Sequence, residues 1–160
     1  LLSQAEKLAN ADGRKAPGAE HLILSALALP DGTAGRAFAR LAADPAGFRQ
    51  AIEKQYQSAL QSAGIEVQEA LAAPRIAAQQ GSGAFEASPS AQQLVQTLAD
   101  DIMVEQRAKH SRLPLMGAHV LLAACNAKHG VAVRALRALG IDANAMATAA
   151  EAEIAAAYRA

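Results

Sequence analysis

The sequence predicts an all-α fold built twice from one unit, and three observations predict it. No stretch alternates apolar and polar residues with period two for long enough to argue for a strand, whereas apolar residues recur at helical spacing along most of the 160 residues. The second observation is punctuation: Asp12-Gly13, Pro30-Asp31-Gly32, Gly130 and Gly140 interrupt the periodic stretches where helices need to stop. The third is duplication. Gly18-Ala19-Glu20-His21-Leu22-Ile23-Leu24 returns as Met116-Gly117-Ala118-His119-Val120-Leu121-Leu122, an offset of 98 residues. The register then runs without a gap through Gly32 and Gly130, Arg36 and Arg134, and Leu41 and Leu139, as far as Asp44 and Asp142. Alanine richness explains shared alanines but not the shared His, Gly, Arg and Asp.

Taken in order, Leu2, Ala5, Leu8 and Ala9 give a first helix that stops at Asp12-Gly13. Pro17-Gly18 restarts the chain, and Glu20 falls in the first turn of a helix running to about Leu29, where a carboxylate favours the positive end of the helix dipole. This helix is apolar almost all round, which marks it as buried. Ala34, Ala37, Phe38 and Leu41 form the inner stripe of a third helix, with Arg36 and Arg40 outside. Asp44-Pro45 is an N-cap followed by proline at the first helical position, opening a fourth helix that carries Phe48, Ile52, Tyr56 or Gln55, and Leu60.

Residues 64–88 lack a sustained apolar period and read as an inter-repeat linker, with a turn or two of helix possible over Val67 to Leu71. Ser88-Pro89-Ser90 caps a longer helix carrying Leu94, Val95, Leu98, Ile102 and Val104, broken at Arg112-Leu113-Pro114. Helices over about 117–128, 131–139 and 143–158 follow, the last capped by Asp142. The expected organisation is a first repeat over 1–63, the linker over 64–88 and a second repeat over 89–160, about eight helices related by a pseudo-twofold and packed as one domain.

The hydrophobic fraction is 52% but aromatics are only 3% and tryptophan is absent, so the core is expected from Ala, Leu, Ile and Val, which suit close helix packing. Fifteen basic residues balance fifteen acidic ones, which removes the electrostatic footprint of a nucleic-acid binder or a polybasic membrane anchor. The single cysteine, Cys125, has no partner for an internal disulfide and is expected as a buried reduced thiol. No apolar run reaches the length of a membrane span and no signal peptide is visible, so a cytoplasmic location is expected, with an upstream segment possible because the sequence opens inside a helical pattern.

The run Ala-Glu-His-Leu-Ile-Leu-Ser-Ala-Leu, then Gly-x-Ala-x-Arg-Ala-Phe-x-x-Leu, then Asp-Pro-x-x-Phe-Arg-Gln-x-Ile-Glu-, resembles the Clp N-terminal repeat, the two-copy helical domain that precedes the ATPase rings of Clp unfoldases. His119-Val120-Leu121-Leu122, Gly130 to Leu136 and Leu139-Gly140-Ile141-Asp142 fit the same pattern. The resemblance implies a domain that binds adaptor proteins or substrates for ATP-dependent unfolding and proteolysis. The alternative is a standalone regulator that sequesters such adaptors, substrates or ligands without an ATPase. Neither needs a cofactor or a metal. With no Gly-x-x-x-x-Gly-Lys-Ser/Thr loop in the chain, ATP hydrolysis is not expected of these residues.

Some members of the family bind phosphorylated arginine, the Glu before the repeat's His holding the guanidinium while a nearby helix start receives the phosphate. The resemblance therefore marks Glu20 and Ser88 as candidate ligand-binding residues, while the second copy has Ala118 in place of the Glu. His21 and His119, in matched positions beside apolar helices, read as hydrogen-bonded packing residues rather than ligands. His110 and His129 have no acidic or cysteine companions at metal-ligand spacing. Asp100, Asp101 and Glu105, with Arg107 and Lys109 close by, read as the wet face of a helix rather than an acid–base pair. Ser25 and Cys125 lack a base at a recognisable spacing, leaving no candidate nucleophile and no expected catalysis. Arg36 and Arg134 are expected as solvated or capping arginines, or as contacts for an acidic partner.

Overall fold

The structure, a computed structural model, describes residues 1–63, 87–109 and 114–159, and no side chain at 102, 103 or 105–109. Among the described residues it is all-helical, in eight helices: α1 (Leu2–Ala11), α2 (Ala19–Leu27), α3 (Thr33–Arg40), α4 (Pro45–Ser62), α5 (Pro89–Lys109), α6 (Gly117–Cys125), α7 (Val131–Ala138) and α8 (Ala143–Ala157). None of these is long and apolar enough to cross a membrane. The linker assigned to 64–88 lies outside the described residues except for Ala87 and Ser88, as do His110 and the break at Arg112-Leu113.

The two central helices are the buried ones. Every residue of α2 from Ala19 to Ala26 is buried, and in α6 only Leu122 and Cys125 are partly exposed. They stop at Leu27 and Cys125, a turn or less before the ends expected at Leu29 and 128. In α2 the Ala28 and Leu29 amides make tighter i→i−3 bonds that close the helix ahead of Pro30.

α2 packs on α6, and the flanking helices pack across the repeats: α3 against α8, and α7 against α4. Matched residues carry matched contacts. Arg36 Nε donates to Glu153 at 2.6 Å, and Arg134 Nε donates to Gln55 at 3.0 Å. The offset of 98 carries Arg36 onto Arg134 and Gln55 onto Glu153, so these two bonds are one interaction written twice, and the register extends into α4 and α8. Both opening caps recur as well: Asp44 accepts from Ala46 N at 2.9 Å, and Asp142 accepts from Asn144 N at 2.9 Å. The repeats differ in filling. Phe38 and Phe48 meet edge-on at 5.9 Å in the first, where the second has Leu136 and Met146.

Close approach of backbones needs small residues at one point above all. A Cβ on Gly117 would lie 2.8 Å from the Ala26 carbonyl oxygen and 2.9 Å from the Ala34 Cβ, so the start of α6 sits directly on α2 and α3. Along α5, Leu94 and Leu98 are buried as expected, but Val104 is 67% exposed and contributes nothing to the core. Its position one residue off the helical repeat of Leu94 and Leu98 accounts for that.

Candidate functional site

The starts of α2 and α6 are where polar side chains gather in the interior, and they are built differently. Each carries a histidine at its third position whose ring folds back on the helix start: His21 Nδ1 accepts from Gly18 N at 3.0 Å, and His119 Nδ1 accepts from Met116 N at 3.2 Å. The packing role expected of both histidines is thus a capping role. With Nδ1 accepting, the neutral His21 ring carries its proton on Nε2, which is buried 3.3 Å from Asp12 Oδ2 without the alignment of a hydrogen bond.

At the α2 start, Glu20 folds back over Gly18, so closely that a Cβ there would fall 2.3 Å from its Oε1. Its carboxylate is 5% exposed and accepts from the Tyr56 hydroxyl of α4, with His21 Nδ1 3.3 Å from the same oxygen. The Arg14 guanidinium lies 3.8 Å from the centre of the Tyr56 ring and covers the pair from outside. Burial works to raise the Glu20 pKa, but the adjoining His21 ring and the hydrogen bonds from Tyr56 and from its own backbone N–H outweigh it and hold the carboxyl below its ordinary value. Burial first, then the hydrogen bond to Glu20, pushes the Tyr56 hydroxyl well above the usual range.

Position 20 corresponds to Ala118, and position 56 corresponds to Ile154, which is 5% exposed. The second repeat therefore replaces the whole polar pair by an apolar one. That co-substitution was readable in the sequence once the register had been carried past Asp142.

At the α6 start, the caps come from the other repeat. Both oxygens of Asp31 accept from Gly117 N, at 3.3 and 3.2 Å, and Thr33 Oγ1 accepts from Ala118 N at 2.8 Å. Asp31 also accepts from the Thr33 backbone N at 2.9 Å and from its hydroxyl. Burial opposes ionisation of Asp31, and the bonds from Thr33 and Gly117 overcome it, leaving the carboxyl below its ordinary value. Sequence reasoning took Pro30-Asp31-Gly32 as a turn and missed this second role, because nothing local to it signals a contact 86 residues away.

A pocket opens beside the α2 start, between α5, the end of α6, the turn after it and the beginning of α7. Leu94, Ala124, Val131 and Val133 make its apolar surface; Ser90, Gln93, Thr97 and Asn126 bring neutral polar groups to it. No Asp, Glu, Lys or Arg lines it, and His129, exposed in the turn, is its one titratable residue. The helix donors that face this region are already used: Ala19 N donates to Ser90 Oγ at 3.3 Å, and the Glu20 N–H is taken by its own carboxylate.

A family model for the Clp repeat N-terminal domain matches residues 1–103, from α1 into α5. The chain belongs to the Clp repeat N-terminal domain family. The match covers the first repeat and the start of the second; the internal register and the reciprocal Arg36–Glu153 and Arg134–Gln55 bonds extend the unit to α8. No curated protein matches the chain.

In this Clp repeat domain the two residues marked for a ligand, Glu20 and Ser88, stand near the α2 start in different settings. Ser88 does lie by the α2 start, its amide on Pro17 O at 3.0 Å and its hydroxyl 3.0 Å from Ser90 Oγ beside the pocket. Glu20 turns inward instead, and a guanidinium could reach its carboxylate only by displacing Tyr56. Arg36 and Arg40, expected on the outside, are half-exposed but converge on the buried Glu153, each at 2.6 Å. Burial works to raise the Glu153 carboxyl and is outweighed by Arg36 and Arg40, which hold it below its usual range. Asp100 and Asp101 are exposed, as a wet helix face requires, and the side chains of Glu105, Arg107 and Lys109 lie outside the described residues. Ser25 donates to Leu1 O at 2.7 Å, and burial pushes the partly exposed Cys125 thiol up to about 12, far from a thiolate at neutral pH.

Proposed function

We propose that this domain is a protein-interaction module that receives an uncharged apolar side chain of an adaptor or unfolded substrate in the pocket between α5 and α7, on behalf of an ATP-dependent unfoldase. The observation that carries this reading is the pocket's lining: apolar surfaces, neutral hydrogen-bonding groups and no fixed charge. A charged side chain would lose its hydration there without a partner, whereas a leucine or valine would bury apolar surface at about 25 cal/mol per Å². Membership of the family supports the protein-binding role. The domain does this without chemistry of its own, and a standalone regulator would use the same pocket.

Phosphorylated arginine is the second reading, favoured by the Ser88 and Ser90 hydroxyls beside the α2 start. It requires Glu20 to exchange the Tyr56 hydroxyl for a guanidinium. Fluorescence anisotropy with labelled, capped peptides separates the two. A peptide bearing central leucines should bind the wild-type domain and lose at least tenfold in affinity against Thr97→Arg, which places a long cation at the pocket. Binding of a phospho-arginine peptide that is abolished by Glu20→Ala and untouched by Thr97→Arg would favour the second reading instead.

A further inference from the structure

The duplication places two comparable helix starts in one chain, and among the described residues a pocket borders the α2 start. The offset of 98 carries Ala19, Ala124 and Ala132 of the pocket onto Gly117, Ala26 and Ala34, where a Cβ on Gly117 would run into the Ala26 carbonyl oxygen and the Ala34 Cβ. It also carries His129 and Val131, at the pocket, onto Asp31 and Thr33, which fill the α6 start with three hydrogen bonds from Gly117 and Ala118. The pocket's α5 wall has no counterpart within residues 1–160, so the comparison concerns α2, α3, α6, α7 and the turns between them.

The two sides thus differ at identifiable positions. Both starts are capped from the opposite repeat, but by different groups: the Ala19 N–H is held by the neutral Ser90 hydroxyl of α5, the Gly117 N–H by the Asp31 carboxylate from the turn before α3. Glycine at 117 removes the Cβ that would hold α6 off α2, and Asp31 and Thr33 then reach the helix donors directly. At 129 and 131 the α2 side offers an exposed imidazole and a valine, neither of which reaches the α2 donors in place of Ser90.

We propose that the Asp31-Gly32-Thr33 segment is a built-in plug that closes the α6 start, so that of the two described helix starts the α2 side is the one that takes a partner segment. The choice of side rests on the reading of the pocket given above; the plug rests on the hydrogen bonds alone.

Two titrations followed by amide chemical shifts test them separately. In the first, N-acetyl-leucine amide is added to the wild-type chain. Shifts at Ala19, Thr97 and Val131 with Thr33, Gly117 and Ala118 unmoved are expected. Comparable shifts at both sets overturn the choice of side while leaving the pocket a binding site, and shifts at neither set overturn the pocket reading and the choice of side with it.

The second titration concerns the plug whatever the first shows. Asp31→Ala should raise the hydrogen-exchange rate of the Gly117 amide by about tenfold or more, as loss of a charged acceptor implies. Sodium acetate, compared with sodium chloride at equal ionic strength, should slow that exchange again and move the Gly117 amide in the variant but not in the wild type. No response of the Gly117 amide to either the substitution or acetate overturns the plug. Should Asp31→Ala fail to fold, Asp31→Asn keeps an acceptor without the charge; an unchanged Gly117 exchange rate there would overturn the carboxylate's part in it.

Discussion

Glu20 and Tyr56 hold each other in a part of the domain whose twin is apolar, and the chain itself supplies the control. Tyr56→Phe leaves the Glu20 carboxylate buried without the hydroxyl and should cost about 1–3 kcal/mol. Glu20→Ala strands the hydroxyl and should cost about the same. The double variant Glu20→Ala/Tyr56→Ile, which copies Ala118 and Ile154, should lie well above the sum of the two losses. Urea denaturation of the four proteins gives the coupling; additive losses would contradict the pairing. A second comparison between twins concerns Ala42, at φ 52° after α3, where the other repeat has Gly140 at φ 73°. Ala42→Gly removes the left-handed strain and should stabilise by about 0.5–1 kcal/mol in the same assay.

Acid should act on the lowered carboxyls of Glu20, Asp31 and Glu153. Each has a folded-state value below its unfolded one. Its contribution is complete above the ordinary carboxylate range and is lost as pH falls through that range toward the folded value, where the unfolded chain binds protons the folded chain does not. The urea midpoint should therefore fall between about pH 5 and about pH 3. Glu153→Gln should flatten part of that fall, and an unchanged profile would argue against the Arg36–Glu153–Arg40 cluster as a contributor.

At the scale of helices, the sequence carried a good deal. Periodicity located the described helices, Asp44 and Asp142 capped where expected, and Phe38, Phe48 and Ile52 are buried. These features depend on neighbours a few residues apart, and such neighbours are legible in a string. What was not legible depends on the distance between repeats. Arg36 reads as an outer residue of α3 because its acceptor, Glu153, lies on α8 and reaches α3 only through the pseudo-twofold. Likewise Glu20 reads as an open acceptor until Tyr56, 36 residues on, is seen to cover it. The contact of α6 with α2 and α3 gives a direct test: Gly117→Ala should destabilise by about 1–3 kcal/mol, since Ala26 and Ala34 cannot both yield. Gly35→Ala, inside α3 with nothing within 4 Å of its Cβ, should stabilise by about 0.5–1 kcal/mol. Thermal denaturation of both separates close approach from helix propensity.

For the whole molecule, duplication sets the frame and its imperfections distinguish the two halves. Reciprocal packing of α3 on α8 and α7 on α4 locks the repeats together, and the two central helix starts are capped differently. Asp31 and Thr33 of the first repeat close one start; Ser90 of the second repeat and Glu20 cap the other, which borders a pocket lined by no Asp, Glu, Lys or Arg. A crystal structure of the domain with a tightly bound leucine-bearing peptide tests this account most directly. It should place an apolar side chain against Leu94 and Val131, with Tyr56 still on Glu20 and Asp31 still on Gly117. A peptide seated at the α6 start, or one whose arginine has displaced Tyr56 from Glu20, would contradict it.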